Sequence, residues 1–246
     1  MLGKTAVRAQ LEKLRRLLDD EKHQAVGFTP DHGDIKRAFL RKQWGLVHMP
    51  HDVMTFLNFL DRFANRPHVS FCEIGVYSGL TANRIVEYLR KIGVGTIEYF
   101  GIDNVASSDA TKPVLEFKEM SFHQGNANVL PTMKKEYDFI FIDACHCAEC
   151  VFDDSIVAST FVKQDGYLLF HDTSLQAQYP WSRTARRHGN LQHYQERKGG
   201  SRPLGVVEGI SMARSRWDAA WRLIVQDHDF LPWGGIRIYQ KTQEKR

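Results

Sequence analysis

Cysteine is scarce, with four residues in 246, and three of them, Cys145, Cys147 and Cys150, crowd into six positions instead of spreading as the pairs of a disulfide framework do. A reducing compartment, the cytoplasm, is expected. Long apolar runs are missing as well. Stretches such as 139–142 and 167–170 are of strand length, far short of the ~20 residues that cross a bilayer. At the N-terminus Lys4, Arg8, Lys13, Arg15 and Arg16 interrupt the apolar residues, so no secretory signal and no membrane partner are expected. An excess of one charge is also lacking: 33 Lys and Arg against 29 Asp and Glu give a net +4, too mild for wholesale wrapping of nucleic acid. Repeats and low-complexity segments are absent. What remains is 43% hydrophobic and 25% charged residues, the balance of a folded globular protein.

Leu11, Leu14, Leu17 and Leu18 recur at helical spacing, which predicts an amphipathic docking helix over about 5–22 and a candidate homo-oligomer contact. Gly27, Pro30 and Gly33 mark a turn. Pro50 and Asp52 then introduce a second helix through Phe56, Leu57, Phe59 and Leu60 to about Ala64. Residues 1–66 therefore read as an N-terminal helical cap, with Trp44, His48 and Met49 as a wall facing a ligand. Residues 67–246 read as one α/β domain. Short apolar runs predict strands at 69–74, 97–102, 120–123, 138–143, 166–171, 221–226 and 235–240. Helices at about 80–92, 112–118, 127–135 and 148–162 separate the first five, the alternation of a doubly wound, mainly parallel sheet. The last two strands are joined only by 227–234, too short for a crossover, so the final strand should be antiparallel to its neighbour. Residues 173–220 form a basic excursion carrying Arg183, Arg186, Arg187 and Arg197, with Trp181 and Tyr194 available to stack on a ring.

The chemistry gathers at strand ends. Glu73, Gly75 and Gly79 mark a strand-to-helix turn that admits a nucleotide-like ligand close to the backbone. Tyr77 stands where a dinucleotide fingerprint needs its second glycine, which argues against NAD or FAD. Asp103 closes the second strand, where a carboxylate can accept both ribose hydroxyls. The turn Gly125–Asn126–Ala127 is suited to bordering an adenine. Asp143 and His146 follow the fourth strand, and His171 and Asp172 the fifth. In an open α/β sheet all of these face one ligand-binding edge.

These segments, EIGVYSGLT, YFGIDN, YDFIFIDACH with Asp154 eight residues on, and GYLLFHDT, resemble class I S-adenosylmethionine-dependent methyltransferases. The resemblance is to the group of macrocin and mycinamicin sugar O-methyltransferases and the related cephalosporin-hydroxylase proteins. It covers about 44–175 and the final hairpin, and implies a Rossmann-like seven-stranded methyltransferase fold. It further implies that Glu73, Gly75, Tyr77, Ser78 and Gly79 hold the methionine part of the cofactor, that Asp103 binds its ribose, and that Asn126 or Ala127 borders its adenine, with Asp143 at the same edge. For metal-dependent relatives it implies Mg2+ or another divalent cation on Asp143, His171 and Asp172, with His146 as base. His171 departs from the acidic residue of those relatives, which removes one hard oxygen ligand.

Residue chemistry supports the same mechanism. An alcohol becomes a nucleophile when its proton leaves, and a histidine titrating near neutrality is matched to take it. The expected acceptor is a hydroxyl of a small molecule, a sugar or glycosylated metabolite, anionic if the excursion's arginines bind it. Methylation of a nucleotide or nucleic acid, and a non-catalytic cofactor-binding or interaction protein on the same fold, are the alternatives. The cysteine cluster around His146 has C-x-x-C spacing that can chelate zinc. Structural zinc sites usually recruit a second ligand pair, and Cys72 lies inside the first strand.

Overall fold

Runs of β-branched and aromatic residues bounded by turn residues build the strands. The computed structural model describes residues 32–44, 50–104, 115–174, 205–226 and 234–243. The strands are β1 (His68–Ile74), β2 (Thr96–Asp103), β3 (Met120–Gln124), β4 (Tyr137–Ile142), β5 (Val162–Phe170), β6 (Ala220–Gln226) and β7 (Arg237–Thr242). They pair in one sheet of order β3-β2-β1-β4-β5-β7-β6. β1 to β5 are parallel, and β7 is antiparallel to both β5 and β6. β5 begins earlier than expected from sequence, because Val162 pairs with Tyr137 before a shift in register brings Tyr167 opposite Phe139.

The helices are α1 (Gly33–Leu40), α2 (Pro50–Leu60), α3 (Leu80–Lys91), α4 (Leu130–Met133), α5 (Ala148–Thr160) and α6 (Val206–Ala213). α1 to α3 pack on one face of the sheet and α5 and α6 on the other, each over its own apolar core. No helix among the described residues is long and apolar enough to cross a membrane.

α2 illustrates how the sequence fixes the layer that matters for the site. Val53, Phe56, Leu57 and Leu60 recur at i, i+3, i+4 and i+7 and are all buried. The Phe56 ring meets Phe141 at 5.0 Å, while Phe59 meets Phe139 at 5.4 Å and Tyr167 at 5.2 Å. These edge-on contacts fasten α2 across β4 and β5, so its first turn arrives at the sheet edge where those strands end. Phe59→Ala is expected to destabilise the protein by about 3–5 kcal/mol. Urea unfolding should show a lower midpoint with an unchanged slope.

Three expectations need correction. No helix forms at 115–118: the Asn83 side chain accepts the Glu116 N–H at 3.0 Å, which diverts that donor from a helical ladder. The excursion is also more regular than its composition suggests, since 205–220 includes α6, whose Val206, Ile210 and Ala213 are buried one helical face deep. The predicted helix over 5–22, the arginines and aromatics of 175–204, and His48 and Met49 lie outside the described residues. Trp44 is not a wall over a ligand. It is buried against Phe39 and donates its indole N–H to the Phe39 carbonyl at 2.9 Å.

Candidate active site

Strand order reverses beside β1, which has β2 on one side and β4 on the other, so the loops leaving β1 and β4 part and open a crevice. Gly75 sits at that point with φ +96°, and a Cβ there would stand 2.2 Å from the Asp143 carbonyl oxygen. Only glycine permits this backbone contact. Tyr77 follows with φ +49° and an exposed ring, its N–H donating to Asp103 Oδ2 at 2.6 Å. Gly79, at φ +81°, opens α3. The Gly125 N–H donates to the Asp103 carbonyl at 2.9 Å, and the Asn126 side chain accepts the Asn128 N–H at 3.1 Å beside buried Ala127. Glu73, Gly75, Tyr77, Ser78, Gly79, Asp103, Asn126 and Ala127 thus line the carboxyl ends of β1, β2 and β3.

Glu73 is buried and accepts the Tyr99 hydroxyl at 2.8 Å. Burial pushes its carboxyl well above the ordinary range; the Tyr99 hydrogen bond opposes this, and the charges of Asp143 and Asp103 add to it.

Beyond β4 and β5, carboxylates and imidazoles alternate. His146 Nε2 lies 3.1 Å from Asp172 Oδ2 and 3.5 Å from Asp143 Oδ1. His171 Nδ1 lies 3.2 Å from Asp143 Oδ1, and its Nε2 lies 3.2 Å from Asp52 Oδ2. Asp52 Oδ1 in turn stands 2.9 Å from His51 Nε2 and accepts the Gly235 N–H at 2.9 Å. Burial pulls the His146 imidazole down, but its hydrogen bond to Asp143 and the charges of Asp172 and Asp143 outweigh this and hold it above its ordinary 6.5. For His171 burial acts the same way, and the charges of Asp143 and Asp172 raise it well above that value.

His171, expected as a metal ligand, has its Nδ1 facing Asp143 and its Nε2 facing Asp52, so both ring nitrogens lie against carboxylates. The ligand atoms that do come together, within 4.8 Å of one another, belong to Asp143, His146 and Asp172. Asp143 Oδ2 is buried with no hydrogen-bond partner. An orphaned carboxylate oxygen beside a second carboxylate and an imidazole fits a divalent cation.

Sequence reasoning missed Asp52 and the glycine pair before β7. Asp52 lies on the buried face of α2, one turn before Phe56, and an acid on an apolar stripe was the available signal. The Gly234 N–H donates to Asp172 Oδ1 at 3.0 Å, and a Cβ on Gly234 would stand 2.3 Å from Asp52 Oδ2. Asp172 itself has φ +54°, a conformation that Asp tolerates better than most residues. From the other side the Gly205 N–H donates to the His146 carbonyl at 2.8 Å, so the end of the basic excursion braces the loop that carries His146.

Residues 72–173 match a family model described as a methyltransferase domain. That stretch is a methyltransferase-like domain. The matched stretch contains the glycine turn, Asp103, Asp143, His146, His171 and Asp172, whereas Asp52, α6 and Gly234–Gly235 fall outside it. No curated protein matches the chain. Among solved structures it is similar to an O-methyltransferase family protein from Burkholderia thailandensis, at 12% identity and TM-score 0.53, covering 97% of this chain and 70% of that one. It is also similar to the CurJ carbon methyltransferase, at 14% identity and TM-score 0.55, covering 86% of this chain and 59% of that one. At these identities the likeness is one of fold.

Proposed function

We propose that this methyltransferase moves the methyl group of S-adenosylmethionine to a hydroxyl oxygen of a small molecule, a sugar or glycosylated metabolite, with His146 as general base. The observation that carries this reading is the half-buried His146 ring, whose Nε2 sits between Asp143 and Asp172 at the end of β4, next to the glycine turn of β1. The sulfonium and amino groups of the cofactor suit the carboxylates of Asp103 and Asp143, its ribose hydroxyls suit Asp103, and Glu73 offers a buried hydrogen-bonding carboxyl at the end of β1. Asn126 and Ala127 border the adenine.

In this reading an acceptor hydroxyl donates its proton to the His146 imidazole as its oxygen attacks the methyl carbon and the sulfonium leaves as a neutral thioether. Asp143 and Asp172 stabilise the imidazolium formed, and the sheet edge fixes oxygen, carbon and sulfur in line. The sugar class rests on the resemblance of EIGVYSGLT, YFGIDN and GYLLFHDT to the sugar O-methyltransferases.

The orphaned Asp143 Oδ2 favours a second reading. A divalent cation held by Asp143, Asp172 and His146 would supply positive charge that lowers the hydroxyl's pKa, and His146 would then be a ligand and not the base. Methyl transfer from labelled S-adenosylmethionine to a panel of sugars, glycosides, nucleotides and RNA, before and after chelation, tests both. Hydroxyl methylation that survives chelation supports the histidine base. Loss on chelation with recovery in Mg2+ or Mn2+ supports the second reading. Labelling confined to nucleotides or RNA, or to carbon or nitrogen atoms, overturns the acceptor assigned here.

A further inference from the structure

The segment that carries His146 also holds three thiols that the methyl-transfer reading does not use. Cys145 and Cys147 flank His146, and Cys147 caps the N-terminus of α5, its sulfur accepting the Cys150 N–H at 3.4 Å. The Cys145 and Cys147 sulfurs are 3.3 Å apart, and the ligand atoms of all three cysteines lie within 4.8 Å of one another. None of the four cysteines forms a disulfide, and these three are partly exposed while Cys72 is buried.

That spacing has a chemical meaning. Tetrahedral zinc with Zn–S bonds of ~2.3 Å sets its sulfurs about 3.8 Å apart, within the range these thiols already span. Three sulfurs on one short loop and the first turn of a helix can therefore close on an ion with little backbone movement. Partial exposure gives an entry path.

We propose that Cys145, Cys147 and Cys150 form a three-thiolate site for a thiophilic d10 metal ion of the zinc type, with solvent as the remaining ligand. On binding, each thiol passes its proton to solvent as a sulfur–metal bond forms, with no change of oxidation state. The site is distinct in donors from Asp143, His146 and Asp172, which offer oxygen and imidazole to a harder ion. Because His146 lies between two of the sulfurs, occupancy fixes the loop on which its ring is mounted.

The test is titration of the full chain, held reduced by a phosphine, with Cd2+ and Co2+ while following thiolate-to-metal charge-transfer absorption. The expected result is one ion per chain with thiolate bands, displacement by Zn2+ but not by Mg2+, and a melting temperature that rises with metal concentration. Cys147→Ser and Cys150→Ser should each weaken binding by more than about 100-fold, and Cys72→Ser and His146→Ala should leave the bands unchanged. Absence of charge-transfer bands, retention of them in the Cys147 and Cys150 variants, or their loss in His146→Ala overturns the proposal. The readout is independent of methyl transfer, so its failure is separate from failure of the enzymatic reading.

Discussion

Replacing His146 with alanine is expected to lower kcat for methyl transfer by about 10²–10⁴-fold, the usual contribution of a positioned general base. Affinity for S-adenosylhomocysteine should stay unchanged, because the cofactor site proposed here, on the glycine turn and Asp103, lies at the ends of β1 and β2 and not at the His146 ring. The pH profile adds a second reading of the same residue. Asp143 and Asp172 hold the protonated imidazole in place, so His146 acts as a base only once the pH rises through a value above its ordinary 6.5. The rising limb of kcat against pH should therefore lie above 6.5 in the native protein and vanish in His146→Ala. A variant that keeps full turnover, or keeps that limb, would falsify the assignment of His146 as base.

Asp52→Ala is expected to cost about 3–5 kcal/mol of stability, because it strips one carboxylate from a buried imidazolium while leaving the ring in place. Asp52 is fully buried, His171 nearly so, and the Gly235 N–H loses its acceptor at the same time. Burial alone would raise the Asp52 carboxyl, but its hydrogen bonds to His171 and His51 and their charges lower it from 3.8 to about 2. A depressed carboxylate contributes stability above its unfolded value and loses it as pH falls through its folded one, here between 3.8 and about 2. His171, raised above 6.5, contributes below that value and loses its share as pH climbs through its higher folded one. The cluster should thus stabilise most between about pH 4 and 6. Urea unfolding across pH should show a flatter acid limb in Asp52→Ala, with Asp52→Asn as the milder isostere that still accepts from Gly235. Parallel profiles for native protein and both variants would remove Asp52 from the cluster's energetics.

The split between these two residues reflects what local pattern carries. His146 was legible because it follows a strand and an aspartate at fixed spacing, all within one βα unit. Asp52 was read only as the start of a helix, since its partners His171 and Gly235 are remote in sequence and meet it only when α2 crosses β4 and β5. His171 shows the same limit from the other side. The resemblance implied metal ligation for it, and nothing local announced that its Nε2 would face the carboxylate of Asp52 on the remote α2 while its Nδ1 faces Asp143.

The sequence by itself determined the strands and their alternation with helices, the antiparallel last strand, and the glycine turn with Asp103, Asp143, His146 and Asp172 at one edge. Each of these rests on periodicity, turn residues or chain length, which act over a few neighbouring residues. Only the tertiary structure decided which groups surround each imidazole, that Asp52 and Gly234–Gly235 complete the cluster, and that the end of the basic excursion folds into α6 and braces the His146 carbonyl. Those contacts join segments that packing brings together and whose hydrogen bonds leave no periodic trace along the chain.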